Sequence, residues 1–371
     1  MSKEILITGG AGFIGSHLAD ELIAHGYRVR VLDAMISQVH GDAERPAYLH
    51  PDVTLVRGDI HDPRAVAAAL RGVDAVYHFA ARVGVGQSMY EIEQYTSTND
   101  GGTAVLLEAL VNQPVERLVV ASSMSVYGEG MYQRQDGTIV EGKDRSIWQL
   151  AVGKWEVLGP NGEVLLPLPT PEIKTPSLAS VYALSKYVQE QMCHIVGRAY
   201  NIPTVALRFF NVYGTRQALS NPYTGVLAIF ASRLLNDRPP LIYEDGLQKR
   251  DFVNVRDVVQ ACRLAFETPG VAGETFNIGS GAAYTVRELA ERMATVLRKG
   301  EIVPQLTGKY RAGDIRHCFA DITKARQLLD YQPRVSLEEG LTELVGWLAD
   351  QSAVDSVEHA NLELAQRGLT V

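Results

Sequence analysis

The sequence predicts an α/β protein: a doubly wound parallel sheet with helices on both faces, joined to a smaller mixed α/β lobe. Three observations predict it. Short β-branched runs alternate with helical segments through the first two-thirds of the chain. The first run ends in a glycine-rich turn that opens a helix. The second run ends in an acidic residue, Asp33.

The expected strands are Ile5–Thr8, Arg28–Leu32, Thr54–Arg57, Ala75–His78, Leu118–Ser122, Thr204–Leu207 and Thr275–Ile278. Helices are expected near 13–25, 63–70, 98–111, 180–200, 226–236, 256–267, 285–298 and 337–349. Segment 131–178 breaks the rhythm, with Gly, Pro, charge and no clear period. A stretch that long between elements is usually functional or disordered. Its tryptophans, Trp148 and Trp155, favour an ordered flap.

The 371 residues suffice for one two-lobed unit or two domains. The composition, 46% hydrophobic and 21% charged, is that of a soluble globule. A net charge of -8 offers no basic field for nucleic acid, though local arginines could still hold a phosphorylated ligand. No apolar run approaches the roughly 20 residues of a membrane span. Met1-Ser2-Lys3-Glu4 leads straight into a strand, so no signal peptide is expected. Cys193, Cys262 and Cys318 are odd in number and form no CxxC. Both features favour a reducing, cytoplasmic setting. No His/Cys cluster has metal-ligand spacing, and no metal is expected.

In the turn Gly9-Gly10-Ala11-Gly12-Phe13-Ile14-Gly15, glycines 9, 12 and 15 allow a tight bend, close backbone approach to a pyrophosphate, and close helix–strand packing. Amides at the start of the helix, around Phe13 and Ile14, would face the diphosphate. The carboxylate of Asp33 suits a ribose diol and repels a 2′-phosphate, and no arginine directly follows it. NAD is therefore expected rather than NADP. Asp59, with Ile60 beside it, could receive the adenine amino group or simply cap a turn.

Tyr182 and Lys186 stand at i and i+4, one above the other on a helix face. An ammonium there favours the phenolate. A phenol with an ordinary pKa of about 10 then becomes a usable base beside a nicotinamide cofactor.

At this point the chain resembles the extended short-chain dehydrogenase/reductase family, and within it the nucleotide-sugar epimerases and dehydratases. The resemblance runs from Ile5 to about Trp347. It rests on the glycine turn, His78-Phe79-Ala80-Ala81, Asn99 with Gly102-Thr103, and Ser122-Ser123-Met124-Ser125-Val126-Tyr127-Gly128. It continues through Tyr182 and Lys186, Arg208-Phe209-Phe210-Asn211-Val212-Tyr213-Gly214, Arg250-Asp251-Phe252-Val253 and Arg311-Ala312-Gly313-Asp314.

The resemblance implies a Rossmann-type domain over 1–210 and about 251–278, carrying the flap 131–178. It implies a nucleotide-sugar-binding lobe over 211–250 and 279–350, with 351–371 as a C-terminal tail. Tyr182 would be the base, Lys186 would lower its pKa and hold the nicotinamide ribose, and Ser123 would bond the same substrate hydroxyl. Ser122 is the neighbouring candidate for that serine role. Ala80, Ala81 and Asn99 would line the cofactor.

Arg250 and Arg311 would clamp the sugar's diphosphate, whose oxygens match the guanidinium fork. Asn211 would bond the diphosphate or sugar, Gln217 and Tyr223 would line the cleft, and Cys318 would gate sugar size. Related dehydratases carry Asp-Glu after the serine, and decarboxylases carry Glu at the second position. Here Met124 and Ser125 cannot act as acid or base near neutral pH, which leaves 4-epimerisation. Val83, Val85, Met89 and Met124 would make the sugar pocket apolar, suiting a 6-deoxy sugar. The segment Ser88-Met89-Tyr90-Glu91-Ile92 and the loop Asn221-Pro222-Tyr223-Thr224-Gly225 look most like the branch that interconverts dTDP-L-rhamnose and dTDP-6-deoxy-L-talose. A UDP-hexose epimerase, a net nucleotide-sugar dehydrogenase or reductase, and an NAD-sensing binding protein are the competing readings. Family members usually form homodimers through the helices near 98–111 and 180–200.

Overall fold

The computed structural model describes residues 2–217, 225–310, 314–349 and 366–367. Seven parallel strands form the main sheet: β1 (Glu4–Thr8), β2 (Arg28–Asp33), β3 (Thr54–Arg57), β4 (Ala75–His78), β5 (Arg117–Ser123), β6 (Thr204–Phe209) and β7 (Thr275–Ile278). Their order across the sheet is β7-β6-β5-β4-β1-β2-β3. The chain therefore winds one way from β1 to β3 and the other way from β4 to β7. Between β1 and β4 the order reverses, and a crevice opens at the strands' carboxyl ends.

Successive side chains of a strand face opposite sides. On one face Ile5, Ile7, Val29 and Val31 join a core with the helix α1 (Phe13–Ala24) and with Val258, Ala261 and Cys262 of a later helix. On the other face Leu6, Leu32, Val76, Leu118 and Val120 pack with α2 (Gly102–Asn112) and with Cys193 of α3 (Val181–Tyr200). Burial on both faces explains why the strands read as continuous apolar runs. Strand ends match the expectation within about two residues. The helix near 98–111 differs: Thr96–Gly101 forms a π-helical turn before α2 starts. A helix at Thr323–Leu329 was not legible from periodicity.

The smaller lobe holds Tyr213, Leu227, Phe230, Leu289, Met293, Leu341 and Leu344 in its own core. Strand Lys249–Arg250 pairs antiparallel with Tyr284–Thr285 and parallel with His317–Cys318. Segment 131–168 forms a three-stranded antiparallel sheet of Met131–Gln133, Ile139–Glu141 and Leu166–Leu168. Of its two tryptophans, Trp155 is half-buried with its ring 6.1 Å from that of Tyr310. Trp148 is 71% exposed, while Tyr132, Val157 and Leu165 make the small core. Among the described residues no helix is long and apolar enough to cross a membrane, and no group of His, Cys, Asp or Glu could hold a metal ion.

Candidate active site

The glycine turn lies in the crevice between β1 and β4. A Cβ on Gly9 would come within 2.8 Å of the Ala80 amide, and Gly9 has φ +69°. A Cβ on Gly15 would come within 2.6 Å of the Gly10 Cα, so α1 can start this close only without a side chain there. Gly12 caps α1 with no side-chain hydrogen bond, and no acidic residue sits in the first turn. The amides at the start of α1, where Phe13 and Ile14 stand, are thus presented to an anion. Asp33 is buried at the end of β2, its carboxylate accepting from the Ala11 amide at 3.0 Å and the Met35 amide at 2.9 Å. These features fit a diphosphate on the turn and a ribose at Asp33.

Further along the crevice the fit is mixed. Asp59 is exposed, and one oxygen is taken by His61 through the backbone at 2.9 Å and the ring at 2.6 Å. Burial would raise its pKa, but those bonds outweigh it and the carboxyl is held low. Ile60 is buried against Gly102. Ala80 and Ala81 lie half-buried at the strand tip. Asn99 is fully buried and its amide is already used. It accepts from the Arg82 amide at 2.7 Å and donates to the Arg82 carbonyl and to Ser185 Oγ at 2.9 Å. Asn99 holds the loop that follows β4 and has little left to offer a ligand.

Ser123 ends β5 and Tyr182 begins α3. Tyr182 is half-buried; desolvation raises the pKa of its phenol, and Ser123 opposes that rise. Ser123 Oγ accepts from the Ser125 amide at 3.2 Å and from the Ser125 hydroxyl at 2.9 Å. Its own proton is therefore free to be given to the phenol oxygen. Ser122 Oγ, by contrast, is buried and has no partner among the described residues. Lys186 meets a partner that the sequence reading did not name: its Nζ donates to Gln189 Oε1 at 2.7 Å. Burial pushes the Lys186 ammonium down to about 8.

The substrate candidates are spread more widely. Asn211 starts a strand paired with Phe252–Asn254, and its amide oxygen is buried with no partner among the described residues. Gln217 is buried, and its Oε1 likewise has none among them. Arg250 is already held by the carbonyls of Lys249, Ile315 and Arg316, with Asp314 at 3.7 Å. Arg311, Tyr223 and most of the tail lie outside the described residues. Cys318 is fully buried with its Sγ 3.9 Å from Thr170 Oγ1, so any effect on sugar size would act through Thr170. The supposed apolar wall is divided. Val83, Val85 and Met89 are 48, 52 and 40% exposed, while Met124 is buried in the main core.

Three sets of contacts were not read from the sequence. Ser125 bonds the candidate catalytic serine. Gln189, three residues after Lys186, takes its ammonium; that spacing was the available signal. Arg316 lies fully buried among Glu156, Glu244 and Asp245, while Arg145 pairs with Glu244 at 2.8 Å. The Glu129 carboxylate accepts from the Arg316 and His317 amides at 2.6 and 3.1 Å. This ionic seam fastens the 131–168 insert to the smaller lobe.

Comparison with known proteins agrees with this architecture. The NAD dependent epimerase/dehydratase family matches residues 5–279. A dTDP-L-rhamnose 4-epimerase of Burkholderia thailandensis is 38% identical, over 94% of this chain and 96% of its own. A putative UDP-glucose 4-epimerase of Methanocaldococcus jannaschii is 32% identical, over 94% and 99%. Among solved structures, a UDP-glucuronic acid 4-epimerase from Bacillus cereus, in complex with UDP-glucuronic acid and NAD, is 28% identical. It superposes with a TM-score of 0.76 over 93% of this chain and 99% of that one.

Proposed function

The chain belongs to the NAD dependent epimerase/dehydratase family, and we propose that it inverts C4 of a nucleotide-activated sugar through a transient 4-keto intermediate. The observation that carries this reading is the Ser123–Tyr182 pair at the crevice with Met124 and Ser125 beside it. Bound NAD would take the C4 hydride and return it. Tyr182 removes the C4 hydroxyl proton and later gives it back, with Ser123 donating to the oxygen on which charge develops. The keto sugar turns its other face before it is reduced, so the configuration inverts. Elimination or decarboxylation would need a group that ionises where Met124 and Ser125 stand, and neither does so near neutral pH.

The favoured substrate is dTDP-L-rhamnose, giving dTDP-6-deoxy-L-talose. Support comes from the 38% identical relative and from Met124 at the serine's side. UDP-hexoses are the second reading, favoured by the M. jannaschii and B. cereus relatives. The protein acts as a homodimer in this reading, since Leu184 and Ile195 leave an exposed apolar stripe on α3. The test is NMR of products from dTDP-, UDP- and GDP-sugars. The expected result is equilibration of dTDP-L-rhamnose with its C4 epimer, no change in UDP-glucose, and no net NADH. Tyr182→Phe should cut turnover by about 100- to 10,000-fold; unchanged turnover would defeat the assignment.

A further inference from the structure

Lys186 is buried, and among the described residues Gln189 Oε1 is the one hydrogen-bond acceptor its ammonium reaches. Gln189 is itself fully buried, and its orientation is fixed by a chain of bonds. Thr8 Oγ1, which accepts from the Phe79 and Ala80 amides, stands 2.8 Å from His78 Nδ1. With Thr8 donating to Nδ1, His78 carries its proton on Nε2, 2.8 Å from Thr103 Oγ1. Thr103 gives its own proton to the Asn99 carbonyl. Its oxygen then accepts from both His78 and the Gln189 Nε2 amide at 2.9 Å. Since the Gln189 NH2 is used there, its oxygen must face the lysine. The chain starts at the strand leading into the glycine turn and ends at the ammonium.

We infer that Gln189 is a positioning residue that keeps Lys186 charged without cancelling its charge. This rests on the reading of Tyr182 as the proton-transferring group. A buried ammonium tends to lose its proton. A neutral acyl oxygen stabilises the charged form, whereas a carboxylate would also neutralise the field that Tyr182 must feel. The other ionisable groups near Lys186 are Cys193 and Glu190 on its own helix, Asp100 on the π turn and His78 on β4. Glu190 is committed to Arg208 at 2.6 Å. His78 is held neutral, its pKa lowered to about 3 by burial and by Lys186 itself. None replaces Gln189 as a neutral acceptor.

The test compares pH profiles of kcat for the holoenzyme. Gln189→Leu should raise the acid limb, set by Tyr182, and lower the alkaline limb, set by Lys186, each by about one pH unit, a tenfold change at fixed pH. Gln189→Glu should move both limbs up. A residue that merely packs would shift neither limb, whatever it did to stability. Thr103→Val, which frees the amide, should narrow the profile partially, and Thr103→Ser should lie nearer the wild type. The ultraviolet tyrosinate difference between wild type and Tyr182→Phe, followed against pH, reads the phenol without turnover. In the Gln189→Leu background its midpoint should rise. An unmoved midpoint overturns the inference whether or not sugars turn over, while loss of the Tyr182→Phe effect on turnover overturns the underlying reading alone.

Discussion

Two buried charge clusters of this molecule are built on opposite plans. At the seam, Arg145 and Arg316 are surrounded by Glu129, Glu156, Glu244 and Asp245. At the crevice, Lys186 has one neutral hydrogen-bond partner among the described residues, Gln189. An over-paired cation is fixed, because every donor is used and no proton can leave at ordinary pH. Arg316 is of this kind, its pKa raised well beyond the usual range: burial would lower it, but Asp245 and Glu156 prevail. An under-paired cation remains able to act on a neighbour and to titrate, at a cost in stability. The seam fastens the insert, whereas the crevice keeps a cation able to titrate.

The largest effect should come from Arg316→Ala, which strands three carboxylates against a fully buried position. Denaturant unfolding should show a loss of about 3–5 kcal/mol, and a loss under about 1 kcal/mol would break the contrast. Lys186→Met is the counterpart. At a fixed excess of added NAD, its stability should stay within about 1 kcal/mol of wild type or rise, while turnover collapses. A stability loss like that of Arg316→Ala would mean the lysine is structural. The smallest effect concerns acid. Burial raises the Glu156 carboxyl, but His317 and Arg316 outweigh it and hold it at about 2. A depressed carboxyl stabilises the fold above its unfolded value and loses that contribution as pH falls through the folded one. Melting of wild type and Glu156→Gln should therefore differ most near neutral pH and converge between about 4.5 and about 2. A gap that persists at the acid end would assign Glu156 to packing.

The crevice was far more legible than the seam. Gly9, Gly12, Gly15 and Asp33 act within one strand–turn–helix–strand unit, so their order along the chain is nearly their geometry. Tyr182 and Lys186 share one helix, and i,i+4 spacing places them. Asn99 was legible as a motif but not in its work, because its partners Arg82 and Ser185 lie 17 and 86 positions away. The tryptophans of the insert pointed to order, and they divide: Trp155 packs on Tyr310, whereas Trp148 is exposed and the small core is Tyr132, Val157 and Leu165.

The sequence by itself determined the strands of the sheet and the cofactor turn, which follow from local periodicity and from groups adjacent in the chain, while the family resemblance named the tyrosine and the serine. Only the tertiary structure decided which oxygen the lysine ammonium meets and what fastens the insert. Thr8, His78, Thr103 and Gln189 come from four separate elements, as do Glu129, Arg145, Glu244 and Arg316. Burial makes each of those polar groups find a partner, and the partner it finds depends on how distant elements pack.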